Sequence, residues 1–269
     1  MTGVHRDTIM RLGVRIGKGC ARLHDRRMLG IRVSRIELDE MWSYVGKKQR
    51  KLTPKDGADV GDQYVFAALD AIGKGILSYR VGKRDADNTY RFLADLRERV
   101  LGRPEISSDS FGAYERAVDE TFGIYGCLYG QIHKTYAGEP PRDAARRYSP
   151  GYVVGVERRG VIGRPGTIST SYVERQNLTL RMGSRRFTRL TNGFSKKLEN
   201  HIAAVALYVA HYNLCRVHEA TRVTPAMSLG IERSIWSISD LVAAALQVLD
   251  RPEAVRRYGP FEVIDGGKD

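Results

Sequence analysis

Three carboxylates stand in sequence contexts that fit metal-dependent chemistry. Asp39 lies in an alternating run of apolar and polar residues, Asp109 follows a short strand-like segment, and Glu174 opens a stretch with helical periodicity. Two Asp side chains at strand ends and one Glu side chain on a helix can hold two hard divalent cations through oxygen ligands. A metal pair of this kind catalyses in-line displacement at a phosphodiester. Because the three residues are far apart in the chain, the prediction requires a fold that brings them together.

Other residues compete for these roles. Glu37 and Glu40 are alternative ligands to Asp39 by proximity alone, and Asp70 also ends a predicted strand. Asp109 could instead cap the helix that follows it, since Asp is favoured there, although Ser110 could also take that cap. Glu174 could be a surface charge near a helix start, where negative charge is favourable. A lesser possibility is that His133 positions an attacking water.

A basic segment follows the third carboxylate. Arg181 lies seven residues after Glu174, so at about 3.6 residues per turn both share a helix face with Asn177. A planar, permanently charged guanidinium there could contact the phosphate beside a scissile bond; the alternative is a solvated arginine. The segment predicts a track for DNA phosphates, or else a solvated loop. The candidate DNA-binding residues are Arg175, Asn177, Arg185, Arg186, Arg189 and Lys196.

The ordered set of motifs resembles the bacterial insertion-sequence DDE transposases of the insertion-sequence-one type. The resemblance covers roughly residues 4–240, and its motifs are Leu38-Asp39-Glu40-Met41-Trp42, Ser108-Asp109-Ser110-Phe111-Gly112, Tyr172-Val173-Glu174-Arg175-Gln176-Asn177, His211-Tyr212-Asn213 and Thr224-Pro225-Ala226-Met227. It implies a ribonuclease-H-like catalytic domain with the triad Asp39, Asp109 and Glu174. It also implies two Mg²⁺ or Mn²⁺ ions per active site, and double-stranded DNA (transposon ends and target) as the partner.

Further expectations follow from the same resemblance. We expect a homodimer or higher oligomer on DNA, with no membrane partner. The family carries a longer N-terminal DNA-binding region, so the start of this chain is expected to be a shortened remnant. Three functions remain open at this point: a transposase that cleaves transposon ends and transfers strands, a truncated DNA-binding protein that does not transpose, and a nuclease of the same fold.

Composition limits the class of protein. The chain has 44 basic and 31 acidic residues and a net charge of +13, which favours a polyanionic partner. Its 42% hydrophobic content is enough for a sizeable core. Cys20, Cys127 and Cys215 are scattered without metal-ligand spacing and are expected to be reduced thiols. No apolar run reaches the roughly 18 residues of a membrane span, so we expect a cytoplasmic, nucleoid-associated protein.

The element pattern predicts an α/β fold, with a ribonuclease-H-like mixed sheet, flanking helices and a short N-terminal helical segment. Residues 5–28 form either an amphipathic helix on the core or the end of a helix-turn-helix. Three strands (31–45, 63–71, 75–82), a helix (87–101), a strand (106–108), a helix (111–118) and a strand (124–136) follow.

The second half is predicted to be mainly helical. Residues 137–169 indicate a loop or small hairpin before the Glu174 helix. Further helices are expected at 195–217 and 238–249, the last capped by Ser237 or Ser239, with a mobile tail from residue 251. The predicted domains are therefore a helical remnant at 1–30, a catalytic domain at 31–235, and a C-terminal helix with its tail at 236–269.

Overall fold

A computed structural model describes residues 3–137, 153–188 and 191–250 of the chain. Its strands in chain order are β1 (Ile31–Arg32), β2 (Arg35–Val45), β3 (Gly61–Asp70), β4 (Ile76–Gly82), β5 (Val100–Leu101), β6 (Glu105–Asp109), β7 (Leu128–Tyr136) and β8 (Val153–Ile162). Strands β1 and β5 form a small parallel pair. The other six form one mixed sheet of order β4-β3-β2-β6-β7-β8.

The sheet combines two pairing modes. Strands β2, β3 and β4 form an antiparallel meander, β6 lies parallel between β2 and β7, and β8 returns antiparallel to β7. Parallel strands need a crossover connection, and helices provide it between β4 and β6 and between β6 and β7. This order confirms the predicted ribonuclease-H-like α/β fold with a mixed sheet and flanking helices.

Four of the seven described helices begin with a side-chain cap. In chain order the seven are α1 (Arg6–Arg27), α2 (Ala86–Arg99), α3 (Gly112–Gly126), α4 (Ser171–Gly183), α5 (Leu198–Leu214), α6 (Pro225–Ser228) and α7 (Ile238–Leu249). The Asp85 side chain caps α2 by accepting from the backbone N–H of Asn88. Ser237 and Asp240 form a capping box at the start of α7, which confirms Ser237 as the predicted cap.

Each face of the sheet carries its own apolar core. Ile36 and Leu38 of β2 join a cluster with Phe92 of α2 and Tyr114 of α3. Met41, at an odd-numbered position of the same strand, joins a cluster with Val173 of α4 on the other face. Side chains alternate between the two faces of a strand. Glu37 and Asp39 therefore belong to the face that α4 covers.

Helix α1 packs against α5 and α7. Cys20, Leu23, Ala206 and Ala245 share a third apolar cluster. Two glycines permit the close approach: a Cβ added at Gly17 would overlap the backbone of Ala203, and one added at Gly19 the backbone of Ala245. These contacts match the interpretation of α1 as an amphipathic helix on the core. The predicted domain boundaries at residues 30 and 235 stay predictions.

Three predicted elements need correction. The helix predicted at 87–101 ends at Arg99, and residues 100–101 form β5. The strand expected at 124–136 begins only at Leu128, because residues 124–126 finish α3 after a break at Gly123, where φ is 63°. Within the segment predicted as a loop or small hairpin, Val153–Ile162 forms the full edge strand β8, paired to β7. Most side chains of β8 are exposed, so the strand lacks the alternation of a half-buried strand. The predicted mobile tail from residue 251 lies outside the described residues.

Two composition-based expectations can be compared with the described residues. Cys20, Cys127 and Cys215 are all free thiols, and the first two are buried. Burial raises the pKa of the Cys20 thiol to about 12, so this thiol is a protonated core group. Among the described helices, none is both long and apolar enough to span a bilayer.

Candidate active site

Strands β2 and β6 bring two of the predicted ligands together. The two strands pair in parallel, with Arg35 opposite Glu105 and Glu37 opposite Ser107. Continuing that register by two residues places Asp39 beside Asp109, at the carboxyl end of β6. This register supports the sequence-based prediction that the two carboxylates meet at one edge of the sheet.

A third carboxylate joins them from the neighbouring position of β2. Asp39, Glu40 and Asp109 each offer one carboxylate oxygen, and these atoms lie within 4.8 Å of one another. Asp39 approaches from the face covered by α4. Glu40 lies on the opposite face, where its carboxylate accepts a hydrogen bond from the Tyr114 hydroxyl of α3 at 2.9 Å. We call Asp39, Glu40 and Asp109 the acidic cluster.

The acidic cluster concentrates negative charge in a partly buried place. Burial, followed by the charges of Glu40 and Asp109, raises the pKa of Asp39 to about 7. Burial and the Asp109 charge likewise raise the pKa of Glu40, against the opposing effect of Arg84. The Arg84 guanidinium donates to Glu40 at 2.5 Å and lies 3.7 Å from Asp109. A cation bound here would relieve this repulsion, and carboxylate oxygens are the donors that hard divalent ions prefer.

Glu174 lies outside the acidic cluster. Its exposed carboxylate forms an ion pair with Lys134 of β7 and accepts a hydrogen bond from the Thr170 hydroxyl at 2.6 Å. The structure thus brings Asp39 and Asp109 together with Glu40, while Glu174 is held about one helical turn from Asn177. Asn177 itself contacts Asp39, so the helix that carries Glu174 reaches the acidic cluster through Asn177, while Glu174 does not join the three carboxylates.

Hydrogen bonds at three positions hold α4 against β2. At the start of the helix, the buried Glu37 carboxylate accepts from the backbone N–H groups of Tyr172 and Val173 at 2.7 and 3.0 Å. In the middle, the Asn177 amide donates to Asp39 at 2.8 Å. Further on, Arg181 donates to the carbonyl of Trp42 at 3.1 Å. Glu37, a rival ligand in the sequence, therefore satisfies the exposed N–H groups at a helix N-terminus.

The predicted DNA-binding residues fall into separate environments. Arg175, Arg185 and Lys196 are exposed. Arg181 also donates to the carbonyl of Phe187. Arg186 is partly buried and donates to the Ser195 hydroxyl at 3.0 Å. Asn177 contacts Asp39, as described above, and Arg189 lies outside the described residues.

A buried polar chain continues from Arg186. The Ser195 hydroxyl lies 2.8 Å from Nδ1 of His201, and the Ser43 hydroxyl lies 2.9 Å from Nε2 of the same ring. The Ser43 hydroxyl donates in turn to the carbonyl of Gln63. Burial, and then the Arg186 charge, lower the pKa of His201 to about 4. This series of hydrogen bonds joins α5 to β2 and β3 close to the acidic cluster.

Asp70 has a structural role, and neither Asp109 nor Ser110 caps α3, whose N-cap is Phe111 without a side-chain cap hydrogen bond. Asp70 accepts from the backbone N–H groups of Ile72 and Gly73 and so closes the β3–β4 turn. Asp109 accepts from the backbone N–H of Phe111 at 3.0 Å, and the Ser110 hydroxyl lies 3.0 Å from His133.

Sequence reasoning missed the contributions of Arg84, Tyr114 and Lys134, which reach the site from distant segments. No pattern in the sequence points to these three residues. The alternation along β2 does predict that Glu37 and Asp39 lie on the same face of the sheet.

Fold and site together define an α/β protein with a ribonuclease-H-like mixed sheet and a carboxylate cluster where its central strands meet. No protein-family model matches the chain. The chain is 26% identical over 173 residues to the insertion element iso-IS1n protein InsB of Shigella dysenteriae; the alignment covers 64% of this chain and 92% of that protein. This similarity confirms the resemblance to the insertion-sequence-one transposases.

A solved structure is also similar. A cryo-EM structure of the piggyBac transposase synaptic complex with hairpin DNA matches over 80% of this chain, with 12% sequence identity and a TM-score of 0.34. The chain spans about half of that transposase, since the match covers 52% of it.

Proposed function

We propose that the chain is a transposase that cleaves DNA at transposon ends and joins those ends to target DNA. The observation that carries the proposal is the meeting of Asp39 and Asp109 at the β2–β6 edge, on a chain similar to an insertion-element protein. A net charge of +13 gives the affinity for a polyanion that such a reaction requires.

The proposed reaction has two displacements at phosphorus. Water attacks the phosphodiester at the transposon end; the P–O3′ bond breaks, and the products are a 3′-hydroxyl and a 5′-phosphate. The freed 3′-hydroxyl then attacks a target phosphodiester and displaces its 3′ oxygen, which takes up the proton. Both steps are in-line displacements, so one site can serve both.

Two Mg²⁺ or Mn²⁺ ions are the proposed cofactors. Asp39 and Asp109 would hold them with Glu174 as the third ligand, and the ions would neutralise the charge that develops on the reacting oxygens. Asp39 and Asp109 fit this role, since they offer hard carboxylate oxygens close to each other, and burial, then the charges of Glu40 and Asp109, raise the pKa of Asp39. Asn177 orients Asp39, and Glu37 fixes the start of the helix that carries Glu174.

The exposed basic residues supply the proposed DNA contacts. Arg185 and Lys196 are available to phosphates, which position a duplex without reading its sequence, and Arg175 offers a further phosphate contact on the other side of α4 from Glu174. Arg181 and Arg186 have supporting roles in this proposal. Arg181 holds α4 against β2, and Arg186 donates to the Ser195 hydroxyl of the buried hydrogen-bond series. Dimerisation on DNA is part of this proposal.

The decisive experiment measures cleavage and strand transfer separately. A labelled duplex that carries a transposon end tests cleavage in Mg²⁺, and a pre-cut end tests strand transfer. Asp39→Asn and Asp109→Asn should abolish both reactions while duplex binding survives. The exposed Asp119→Asn, which makes the same charge change, should leave both intact.

Each other outcome would assign a different function to the chain. Cleavage without transfer of pre-cut ends means a nuclease of the same fold. Duplex binding without either reaction means a non-transposing DNA-binding protein. Cleavage that persists in excess chelator contradicts the metal-dependent mechanism.

A further inference from the structure

A basic cleft lies behind the helix that carries Glu174. Its volume is 310 Å³, and it opens between the β3–β4 turn, α4 and the loop after α5. The residues that matter for its chemistry are Lys74, Tyr172, Arg175, Tyr212, Arg216 and His218. None of them belongs to the acidic cluster.

Helix α4 separates the basic cleft from the acidic cluster. Glu174, Asn177 and Arg181 follow one another at helical spacing on one face. Tyr172, Arg175 and Thr179, which line the cleft, lie roughly half a turn around the same helix. A strand of DNA that passes the acidic cluster would therefore have to cross α4 to reach the cleft.

Cationic side chains outnumber carboxylates along the cleft. Three cationic side chains line it against one carboxylate, that of Glu219. Within the described residues, the guanidinium groups of Arg175 and Arg216 form no ion pair and no hydrogen bond. His218 adds no opposing charge, since burial and the cations Lys74 and Arg216 lower its pKa.

Lys74 is fixed at the floor of the cleft. It is 8% exposed and has φ of 65°, a left-handed conformation that non-glycine residues seldom adopt. Its backbone carbonyl accepts from the Tyr212 hydroxyl at 2.9 Å, and its ammonium donates to the carbonyl of Ala71 beneath the ring of Tyr172. An ammonium has three donors, and the Ala71 carbonyl and the Tyr172 ring together engage part of this one.

The carboxylates nearest Lys74 are already engaged. Glu37 and Asp70 both raise its pKa, against the larger opposite effect of burial. The Glu37 carboxylate, however, accepts from the N-terminus of α4, and the Asp70 carboxylate accepts from the β3–β4 turn. Both carboxylates act on Lys74 through their charge, but within the described residues neither forms an ion pair with its ammonium.

From this combination we infer that the basic cleft binds one nucleotide of an unpaired DNA strand. Cations beside an exposed aromatic ring are the features by which proteins hold single strands, the cations on phosphate and the ring on a base. Tyr172 is 45% exposed at the rim. The volume lies at the lower end of the range for small-ligand sites and fits a single nucleotide. A base reaches Tyr172 only when it is free of a duplex. The inference deepens the proposed function and rests on the chain acting on DNA.

The test measures binding in chelator, so that no cleavage takes place. Full-length protein is titrated into a fluorescein-labelled 12-mer of deoxythymidylate at several salt concentrations, with a duplex of equal length in parallel. The cleft variant is Arg175→Ala/Arg216→Ala. Its control, Arg91→Ala/Arg116→Ala, removes the same charge from the exposed faces of α2 and α3. Circular dichroism and thermal melting verify the fold of each variant.

We expect the cleft variant to bind the single strand at least tenfold more weakly than the control. The slope of log affinity against log salt should fall in magnitude by about 0.7, the value for one single-strand phosphate. Tyr172→Phe should bind like wild type. Tyr172→Ala should lose about fivefold or more on the single strand and less than twofold on the duplex.

Equal losses in the two double variants would overturn the inference, since they would reflect only overall charge. Equal effects of Tyr172→Ala on single strand and duplex would also overturn it. A wild-type protein that cleaves transposon ends but does not bind the 12-mer contradicts this inference alone. A protein that binds the 12-mer through the cleft but never cleaves contradicts the proposed function alone.

Discussion

The side-chain amide of Asn177 donates a 2.8 Å hydrogen bond to Asp39. This contact ties α4 to the central strand of the sheet at the residue where the acidic cluster begins. Glu37 secures the same helix two residues earlier on the same face of β2. The orientation of Asp39 therefore depends on α4, and the position of α4 depends on β2.

Loss of the Asn177 amide should impair both cleavage and stability. We expect Asn177→Ala to lower the cleavage rate by roughly a hundredfold, since small misplacement of a catalytic group can cost that much. Stability should fall by about 1.5–3 kcal/mol, the range for a lost hydrogen bond to a charged group. Single-turnover cleavage and urea denaturation measure the two effects. Leu178→Ala, an exposed neighbour on α4, is the control, and matching cleavage rates in both variants would contradict a role for the amide.

The ion pair between Lys134 and Glu174 would compete with the proposed metal binding. If Glu174 is the third ligand, it must leave Lys134 when the ions bind. Lys134→Ala should therefore lower the Mg²⁺ concentration for half-maximal cleavage by about tenfold, and Glu174→Gln should abolish cleavage.

Glu40→Gln should only reduce cleavage, because Tyr114 and Arg84 already hold that carboxylate. Abolished cleavage in Glu40→Gln with activity retained in Glu174→Gln would make Glu40 the third ligand.

Much of the sheet was predictable, because the runs at 31–45, 63–71 and 75–82 contain buried β-strand residues and end at turn residues. The proximity of Asp39 and Asp109 was also predicted, and the parallel β2–β6 register supports it. Edge strand β8 was missed because exposed side chains on both faces leave no periodic signal. The partners Arg84, Tyr114 and Lys134 were missed because long-range contacts between polar side chains have no spacing rule in sequence.

The buried histidine on α5 predicts a loss of stability in mild acid. His201 has a folded-state pKa of about 4, lowered from its ordinary value of 6.5 by burial and by Arg186. Its contribution to stability is fully present above pH 6.5 and is lost as the pH falls towards 4, because the unfolded state then binds more protons. The full loss is about 3 kcal/mol at 1.36 kcal/mol per unit.

His201→Gln isolates this effect from the carboxylates. The raised pKa values of Asp39, Glu37 and Glu40 act in the opposite direction, since they favour the folded state as the pH falls. The difference in unfolding free energy between wild type and His201→Gln should therefore shrink from pH 7 to pH 4.5 in urea titrations. A difference that stays constant with pH would show that His201 does not titrate with folding.

The glycines of α1 test whether that helix belongs to the catalytic core. Alanine at Gly13 meets no atom within 4 Å and should stabilise the chain by about 0.5–1 kcal/mol, the helix preference of alanine over glycine. Alanine at Gly17 would overlap the backbone of Ala203 on α5 and should destabilise by about 1–3 kcal/mol, as overpacked cores do. Urea denaturation followed by circular dichroism measures both variants. A single transition shifted by Gly17→Ala would join α1 to the catalytic core and contradict a domain boundary at residue 30. Equal stability of the two variants, with α1 unfolding separately, would mean that α1 is an independent segment.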